Sequence, residues 1–308
     1  MTTASAVAAR PGAGRLLAAH LDLTKPRIMT LVLVTGVPAM LLAKRGFPDP
    51  GLACATLLGI ALAAGSASAF NNYYDRDIDA LMRRTAARPL PSGLIPPAHA
   101  VGLGIGLALL SFAVLATFAN LLAAVLGLAS IFYYAVVYTV WLKRRTPQNI
   151  VIGGGAGASA PLIAWAAMTG HLALPAFLLA AIVFLWTPPH FWALSLYRRD
   201  DYQRAGIPML PVTHGERETR RQIVLYTWIL VPVTLALAPL GLVGLWYTAP
   251  AVLLGARFLL GVHRLRREAG VPDAVRVFRF SIAYLFLLYL ALTVDAIVRF
   301  VARGPAGA

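Results

Sequence analysis

Nine apolar stretches, most of them close to twenty residues long, constrain this chain more than any other feature. They lie at roughly 28–43, 51–71, 98–119, 121–142, 149–169, 173–197, 223–244, 246–262 and 280–301. A helix needs about 20 mostly apolar residues to cross the hydrocarbon core of a bilayer. Only a helix or a closed barrel satisfies its backbone polar groups there, and no alternating pattern of the barrel kind is present. The expected fold class is therefore an all-α polytopic membrane protein with about nine transmembrane helices in a bundle, the first and eighth being the shortest stretches. Charged residues make up 13% of the chain and mean hydropathy is +0.73, against roughly 25% charged in a soluble domain. One membrane domain is expected over 24–302, after a disordered cytosolic tail at 1–23 and before a short C-terminal tail at 303–308. Residues 1–23 lack an apolar core of signal-peptide length. Their Ala-rich, acid-poor composition is shared with transit peptides, but a cytosolic tail is the favoured reading.

The net charge is +15, which in a soluble chain would suggest nucleic acid. Here the basic residues fall in short loops on one side of the apolar stretches, too short for a nucleic-acid module, and they orient the chain instead. The N-terminal tail (Arg10, Arg15, Lys25, Arg27) and the loops after the second, fourth, sixth and eighth stretches carry nearly all of them. The other side keeps Lys44, Arg45, Arg299 and Arg303, while Arg257 lies within the eighth stretch. With nine spans, this bias places the N-terminus in the cytosol and the C-terminus outside, in the inner (cytoplasmic) membrane of the cell. The single cysteine, Cys54, excludes an intrachain disulfide and a cysteine-based metal site.

Acidic residues number only twelve, and five of them fall in two clusters. Asn71, Asp75 and Asp79, at the inner end of the second stretch, are spaced i, i+4, i+8 and share one helix face. Asp77 points elsewhere, toward solvent or a neighbouring Arg. Arg83 extends the shared face if the helix persists. Carboxylates at i, i+4 repel one another, and a divalent cation is the simplest compensation. Mg²⁺ takes hard oxygen ligands, commonly one or two carboxylates completed by phosphate and water. A solvated acidic helix end balanced by Arg76, Arg83 and Arg84 is the alternative. Asp200-Asp201, just past the sixth stretch, faces the same side and could hold a second ion on the same phosphate.

The pattern Asn71-x-x-x-Asp75-x-x-x-Asp79 resembles the first signature of the intramembrane aromatic prenyltransferases, the UbiA-type superfamily. Three further stretches resemble its haem-farnesylating branch, the haem O synthases. They are Thr24-Lys25-Pro26-Arg27, the run from Asn149 through the glycines to Pro161 and Trp165, and the segment from Pro189-His190-Phe191 through Asp200-Asp201-Tyr202 to Gly206, Pro208 and Pro211. The resemblance covers residues 24–215. Many relatives carry a second Asp-x-x-x-Asp, whereas here Tyr197 stands four before Asp201 and Leu196 four before Asp200. That leaves open which of the two binds metal.

The resemblance implies a nine-helix bundle around a central cavity open to the cytosolic side. It implies farnesyl diphosphate as donor, haem b as acceptor rather than cofactor, Mg²⁺ as cofactor, and haem O as product. Downstream haem-modifying enzymes of oxidase assembly would be partners, beside the lipid bilayer. Asp75 and Asp79 would hold Mg²⁺, with Asn71 as neutral ligand and Asp200 or Asp201 contributing to a second site. Lys25, Arg27, Arg83, Lys143 and Arg144 lie at the same face and could clamp phosphate oxygens, Arg27 and Lys143 first. An allylic cation needs a dry, π-rich wall, for which Tyr73, Tyr74, Tyr133, Tyr134 and Tyr138 are at suitable depth, although interface tyrosines also serve as membrane-belt residues. His190 follows Pro188-Pro189, which should interrupt the helix ladder. It either orients haem iron or bonds a carbonyl freed by the kink. The glycines at 153–157 allow close helix contact or leave room for a ligand. Competing readings are a prenyltransferase with another acceptor, such as a quinone precursor or chlorin, and a membrane transporter, against which the one-sided placement of the carboxylates argues.

Overall fold

The computed structural model describes residues 12–268 and 270–303, and they form helices joined by turns. Helix α1 (Ala13–Leu23) precedes α2 (Pro26–Lys44), α3 (Pro50–Leu81), α4 (Pro97–Phe118) and α5 (Leu121–Phe132), which runs on as a π-helical segment, Tyr133–Leu142. Then follow α6 (Asn149–Gly157), α7 (Ser159–Thr169), α8 (Leu174–Tyr197), the short α9 (Arg199–Arg204) and α10 (Leu210–Thr213), α11 (Gly215–Leu235), α12 (Leu245–Glu268) and α13 (Val271–Arg303). Residues 13–23, expected to be disordered, are helical. Leu23 and Ala19 of α1 pack on Leu90, Ile95 and Ala100, so this part of the tail has a packing partner that composition did not reveal. Residues 1–11, with Arg10, and 304–308 lie outside the described residues.

The helix starts follow from local chemistry. Proline occupies the first turn of α2, α3, α4 and α8, where its missing N–H costs nothing. Asp49 Oδ1 accepts from Leu52 N at 2.8 Å to cap α3. Asn120 caps α5 through Ala123 N at 2.9 Å while its amide donates to the Ala166 carbonyl at 2.7 Å, tying α5 to α7. Small residues then let rods approach. A Cβ on Gly59 would stand 2.5 Å from Leu115 Cγ, so α3 and α4 touch through a side chain lying on bare backbone. Ser66 Oγ and Ser111 Oγ donate across that contact to the carbonyls of Gly104 and Gly59, each at 2.8 Å. In an apolar surround, such packing and hydroxyl bonding drive association in place of the hydrophobic effect.

Eight helices among the described residues are long and apolar enough to cross a membrane, and the chain is a multi-pass membrane protein. The remaining expected stretch, 223–244, is not of that kind. It is helical only to Leu235 in α11, whose first turns carry Glu216, Arg217, Glu218, Arg220 and Arg221. Contacts show that α11 nonetheless runs the depth of the bundle. Trp228 meets His263, Gly255 lies under Val231, and Thr234 meets Tyr247, so α11 descends alongside the ascending α12.

Two ends of the bundle emerge. One gathers the charged helix ends: Asp75 with Lys143, Arg199 with Glu216 and Arg264 with Asp273. The other joins Asn120 to Ala166 and Asp295 to Gly244. The first is the polar end below. The bundle closes on itself where α13 packs against α2.

Candidate active site

The inner end of α3 buries three polar side chains that a membrane helix would ordinarily avoid. Asn71 is 3% exposed, Asp75 1% and Asp79 4%, while the Asp77 side chain is 61% exposed. The i, i+4, i+8 face is thus turned inward. Buried carboxylates need compensating partners, and each one here has a cation. Lys143 Nζ bonds Asp75 Oδ2, and Arg88 reaches Asp79 Oδ2 at 2.6 Å. Arg144 grips both oxygens of Asp77 at 2.6 and 2.7 Å and stands 3.8 Å from Asp75 Oδ1. The Asp77 carboxylate holds the Arg144 guanidinium above its usual pKa.

Asn71 joins the network from three directions. Its Oδ1 accepts from Lys25 Nζ at 2.7 Å, and its Nδ2 donates to Asp75 Oδ2 at 2.7 Å and to Thr139 Oγ1 at 3.0 Å. Lys25 is delivered by an unusual backbone. It occupies the left-handed region, φ 52° and ψ 58°, between α1 and α2. A residue before proline is normally extended, and a non-glycine residue in this region stores about 1–3 kcal/mol. Desolvation, reinforced by the neighbouring Arg88 and Lys143, pulls the Lys25 ammonium down to about 7, against the opposing pull of Asp75 and Asp79.

Thr139 reaches Asn71 because the chain from Tyr133 to Leu142 is wound as a π-helix. Its hydroxyl donates to the Tyr134 carbonyl five residues back, at 2.8 Å. The glycines of α6 make room for the wide turn. A Cβ on Gly153 would stand 2.3 Å from the Tyr138 ring and one on Gly155 3.1 Å from the Tyr133 ring, so close contact is what these glycines serve. Tyr134 and Tyr138 pair at 5.3 Å between ring centroids. The Tyr73 and Tyr74 rings instead carry the guanidiniums of Arg76 and Arg144.

The second acidic cluster is split. Asp200 is exposed. Asp201 is 7% exposed, bonded to Arg204 and 3.9 Å from Arg198. Tyr202, Ala205, Ile207 and Met209 just beyond it pack on Ile78 and Met82, which brings this segment to the end of α3. Burial pushes the Tyr202 hydroxyl up.

Three expected residues stand apart. Helix α3 ends at Leu81 and Met82 is extended, so Arg83 does not continue the acidic face; it is exposed, as is Arg27 in the first turn of α2. Helix α8 passes through Pro188 and Pro189 unbroken, and His190 bonds the Ser281 hydroxyl of α13 at 2.7 Å rather than a kink carbonyl. Its ring is stacked between Trp186 and Phe278 at 4.4 and 4.8 Å. Ser281 itself donates to the Phe278 carbonyl at 2.6 Å, so Nδ1 of His190 is the donor in their bond and Nε2 keeps its lone pair. Sequence reading missed Arg88, Thr139 and Arg204. Only the abundance of arginine near the acidic motifs hinted at the first and last.

One atom bears on a metal. Asp75 Oδ1 is buried and accepts no hydrogen bond. Among the described residues no three His, Cys, Asp or Glu converge. Two carboxylates and an amide oxygen are still a hard-oxygen set of the size Mg²⁺ uses when phosphate and water complete its shell, and the residues fit that ion. Cavities of about 170 and 260 Å³ open elsewhere, beside α11 and α12. The charged network, not these hollows, marks the site.

Residues 32–292 match the model of the UbiA prenyltransferase family. A protoheme IX farnesyltransferase of Synechococcus elongatus is 53% identical over 289 residues, 92% of this chain and 90% of the relative. One from Gloeobacter violaceus is 51% identical over 91% of this chain and 92% of the relative. The chain spans only about half the length of the relative from Roseiflexus sp., which is 48% identical and covered to 54%. Among solved structures, a digeranylgeranylglyceryl phosphate synthase superposes with a TM-score of 0.76 at 20% identity, covering 92% of this chain and 99% of that one. A UbiA homologue from Archaeoglobus fulgidus, bound to DMAPP and Mg²⁺, gives 0.62 at 18% identity, with 88% of this chain and 99% of that one covered. Those two carry the likeness of fold, and the identity shared with the bacterial relatives over almost the whole length carries the likeness of sequence: the chain belongs to the UbiA prenyltransferase family.

Proposed function

We propose that this protein transfers a farnesyl group from farnesyl diphosphate to a vinyl group of haem b, yielding haem O. The observation that carries the reading is the buried Asn71–Asp75–Asp79 face with an unsatisfied carboxylate oxygen, ringed by Lys25, Arg88, Lys143 and Arg144. Relatives at about 50% identity are named for farnesylation of protohaem, and a UbiA homologue has been solved with Mg²⁺ and a prenyl diphosphate.

The reaction breaks the C1–O bond of an allylic diphosphate, and the electron pair leaves with oxygen. The vinyl π electrons of haem then bond to C1. Water adds to the resulting cation and loses a proton, leaving a hydroxyethylfarnesyl substituent. Positive groups aimed at the leaving oxygen lower that barrier. Mg²⁺ held by Asn71, Asp75 and Asp79, with Asp201 or Asp200 toward a second ion, would act there as Lewis acid and template.

The chain's own cations do the rest. Lys25 and Lys143, each already bonded to the acidic face, are placed to turn toward phosphate oxygens as the diphosphate arrives. Arg144 anchors the rim through Asp77. Arg27 and Arg83, both exposed, would meet the diphosphate at the entrance. Tyr134 and Tyr138 would line the path of the allylic chain from a cavity open to the cytosolic side. His190 would present Nε2 toward haem iron. The polar end would face the cytosol in the inner membrane, and the product would pass to haem-modifying enzymes of oxidase assembly.

The test is mass spectrometry of haems extracted from membranes with and without the protein, beside Mg²⁺-dependent release of diphosphate by purified protein. Haem O present only with the active chain supports the reading. Diphosphate release coupled to another prenylated acceptor would overturn the assignment of haem.

A further inference from the structure

The α12–α13 pair carries a second charged feature, remote in sequence from the acidic face. A cavity of about 260 Å³ opens between the two helices at the polar end, lined by Arg257, Arg264 and Arg276 together with Phe258, Leu260 and Phe280. Its one carboxylate, Asp273, is already shared by Arg264 at 3.4 Å and Arg276. Arg264 also pairs with Glu268 at 2.8 Å.

Arg257 differs from both. It belongs to the membrane-spanning part of α12 and is seven residues, about 10 Å along the axis, deeper than Arg264. Among the described residues it forms no ion pair, and its guanidinium lies 5.0 Å over the Phe280 ring, leaning toward α13. A guanidinium at this depth without a carboxylate needs an anion or water, and such a residue marks a functional site by default. Beside the cavity α12 presents Leu253 and Leu260, 71% and 73% exposed. The combination is a basic slot that runs from the polar end down to Arg257, flanked by an apolar wall.

We propose that this slot binds the phosphate of an anionic phospholipid, with Arg257 and Arg276 as its anion-binding side chains and the acyl chains lying along Leu253 and Leu260. Basic pockets between membrane helices on the cytosolic side are suited to such headgroups. Guanidinium suits the phosphate better than ammonium because its fork donates two parallel bonds. The proposal needs only the membrane location of the chain, not the farnesyl-transfer reading.

The experiment is native mass spectrometry and thermal unfolding of the full chain from vesicles of phosphatidylcholine alone or mixed with phosphatidylglycerol. Selective retention of phosphatidylglycerol, and a higher Tm in its presence, is expected. Arg257→Gln should lower retention about fivefold, the weight of one basic residue at an anionic surface. Arg257→Lys should lose less, and Arg267→Gln, on the same helix but outside the cavity, should change nothing. Equal retention of the two lipids by the unsubstituted protein would overturn the proposal even if a variant failed to fold. So would equal retention by Arg257→Gln, or an identical Tm shift from inorganic phosphate alone.

Discussion

Thr139 shows how one hydroxyl can orient the proposed ligand Asn71 without being a ligand itself. Its proton is committed to the Tyr134 carbonyl, so only a lone pair is offered to Asn71. The Asn71 amide must then turn its NH₂ toward Thr139 and Asp75, which leaves Oδ1 facing Lys25 and any cation that replaces it. Thr139→Val keeps the shape and removes the acceptor. Residues that orient metal ligands typically contribute 10–100-fold, so apparent Mg²⁺ affinity should fall about tenfold or more, measured by calorimetry or by Mn²⁺ resonance with inorganic diphosphate present. Thr139→Ser should restore it; unchanged affinity in the Val variant would sink the argument. Asp75→Asn should be harsher, because it removes the free carboxylate oxygen and strands Lys143. Diphosphate release should drop by at least about 100-fold, near 3 kcal/mol of barrier, with insertion intact. The acidic face itself was legible in the sequence, since three polar residues at helical spacing in an apolar run have few other uses. Arg88 and Thr139 were not, because their partners lie 9 and 68 residues away. No local pattern encodes such a pairing.

At the scale of single elements, glycine decides where helices touch. Gly153 lies against the Tyr138 ring and Gly154 against Thr187, so α6 is wedged between the π-helical segment and α8. Gly153→Ala would force a methyl to 2.3 Å from an aromatic ring and should cost about 1–3 kcal/mol by overpacking. Because the ring belongs to the π-helix that carries Thr139, catalysis should suffer with stability. A loss of Tm in detergent accompanied by lower Mg²⁺ affinity is the expected signature, and a stability change alone would argue that the π-helix is not coupled to the site. Asp295 does comparable work at the opposite end. It is fully buried, stands 3.8 Å from Arg299 one turn on, and accepts from Gly244 N at 2.8 Å and Tyr247 N at 3.3 Å, so it caps α12 from another helix. Asp295→Ala should lower stability by about 2 kcal/mol, at the upper end for a lost cap, with little effect on metal binding. Runs of small and apolar residues announced the helices, but the π-helical winding and the cap from a distant helix arise from tertiary packing, and the unbroken course of α8 through two prolines ran against local expectation.

For the whole molecule the open question of topology turns on α11. Eight helices among the described residues are long and apolar enough to cross, and an even number of crossings would put both termini on one side. The contacts favour nine traverses. Helix α11 begins beside Arg199 through Glu216 and ends beside Tyr247, at the start of α12. Its charged first turns belong to the polar end, where the remaining apolar residues from Ile223 onward enter the bundle against α8 and α12. One face of α11, Ile223, Thr227, Leu230, Val231 and Thr234, is buried in the bundle, while Leu225, Trp228 and Ile229 leave its other face apolar and exposed, as a lipid-facing helix requires. The basic loops then all fall on the polar side, as the charge bias requires. Reporter fusions at the N-terminus and after Arg303 should therefore report opposite sides, with the N-terminal fusion cytosolic. Both termini on one side would show that α11 enters and returns. The acidic face would then still lie at the charged end of α3, but the expectation that nine spans enclose it would have to be abandoned.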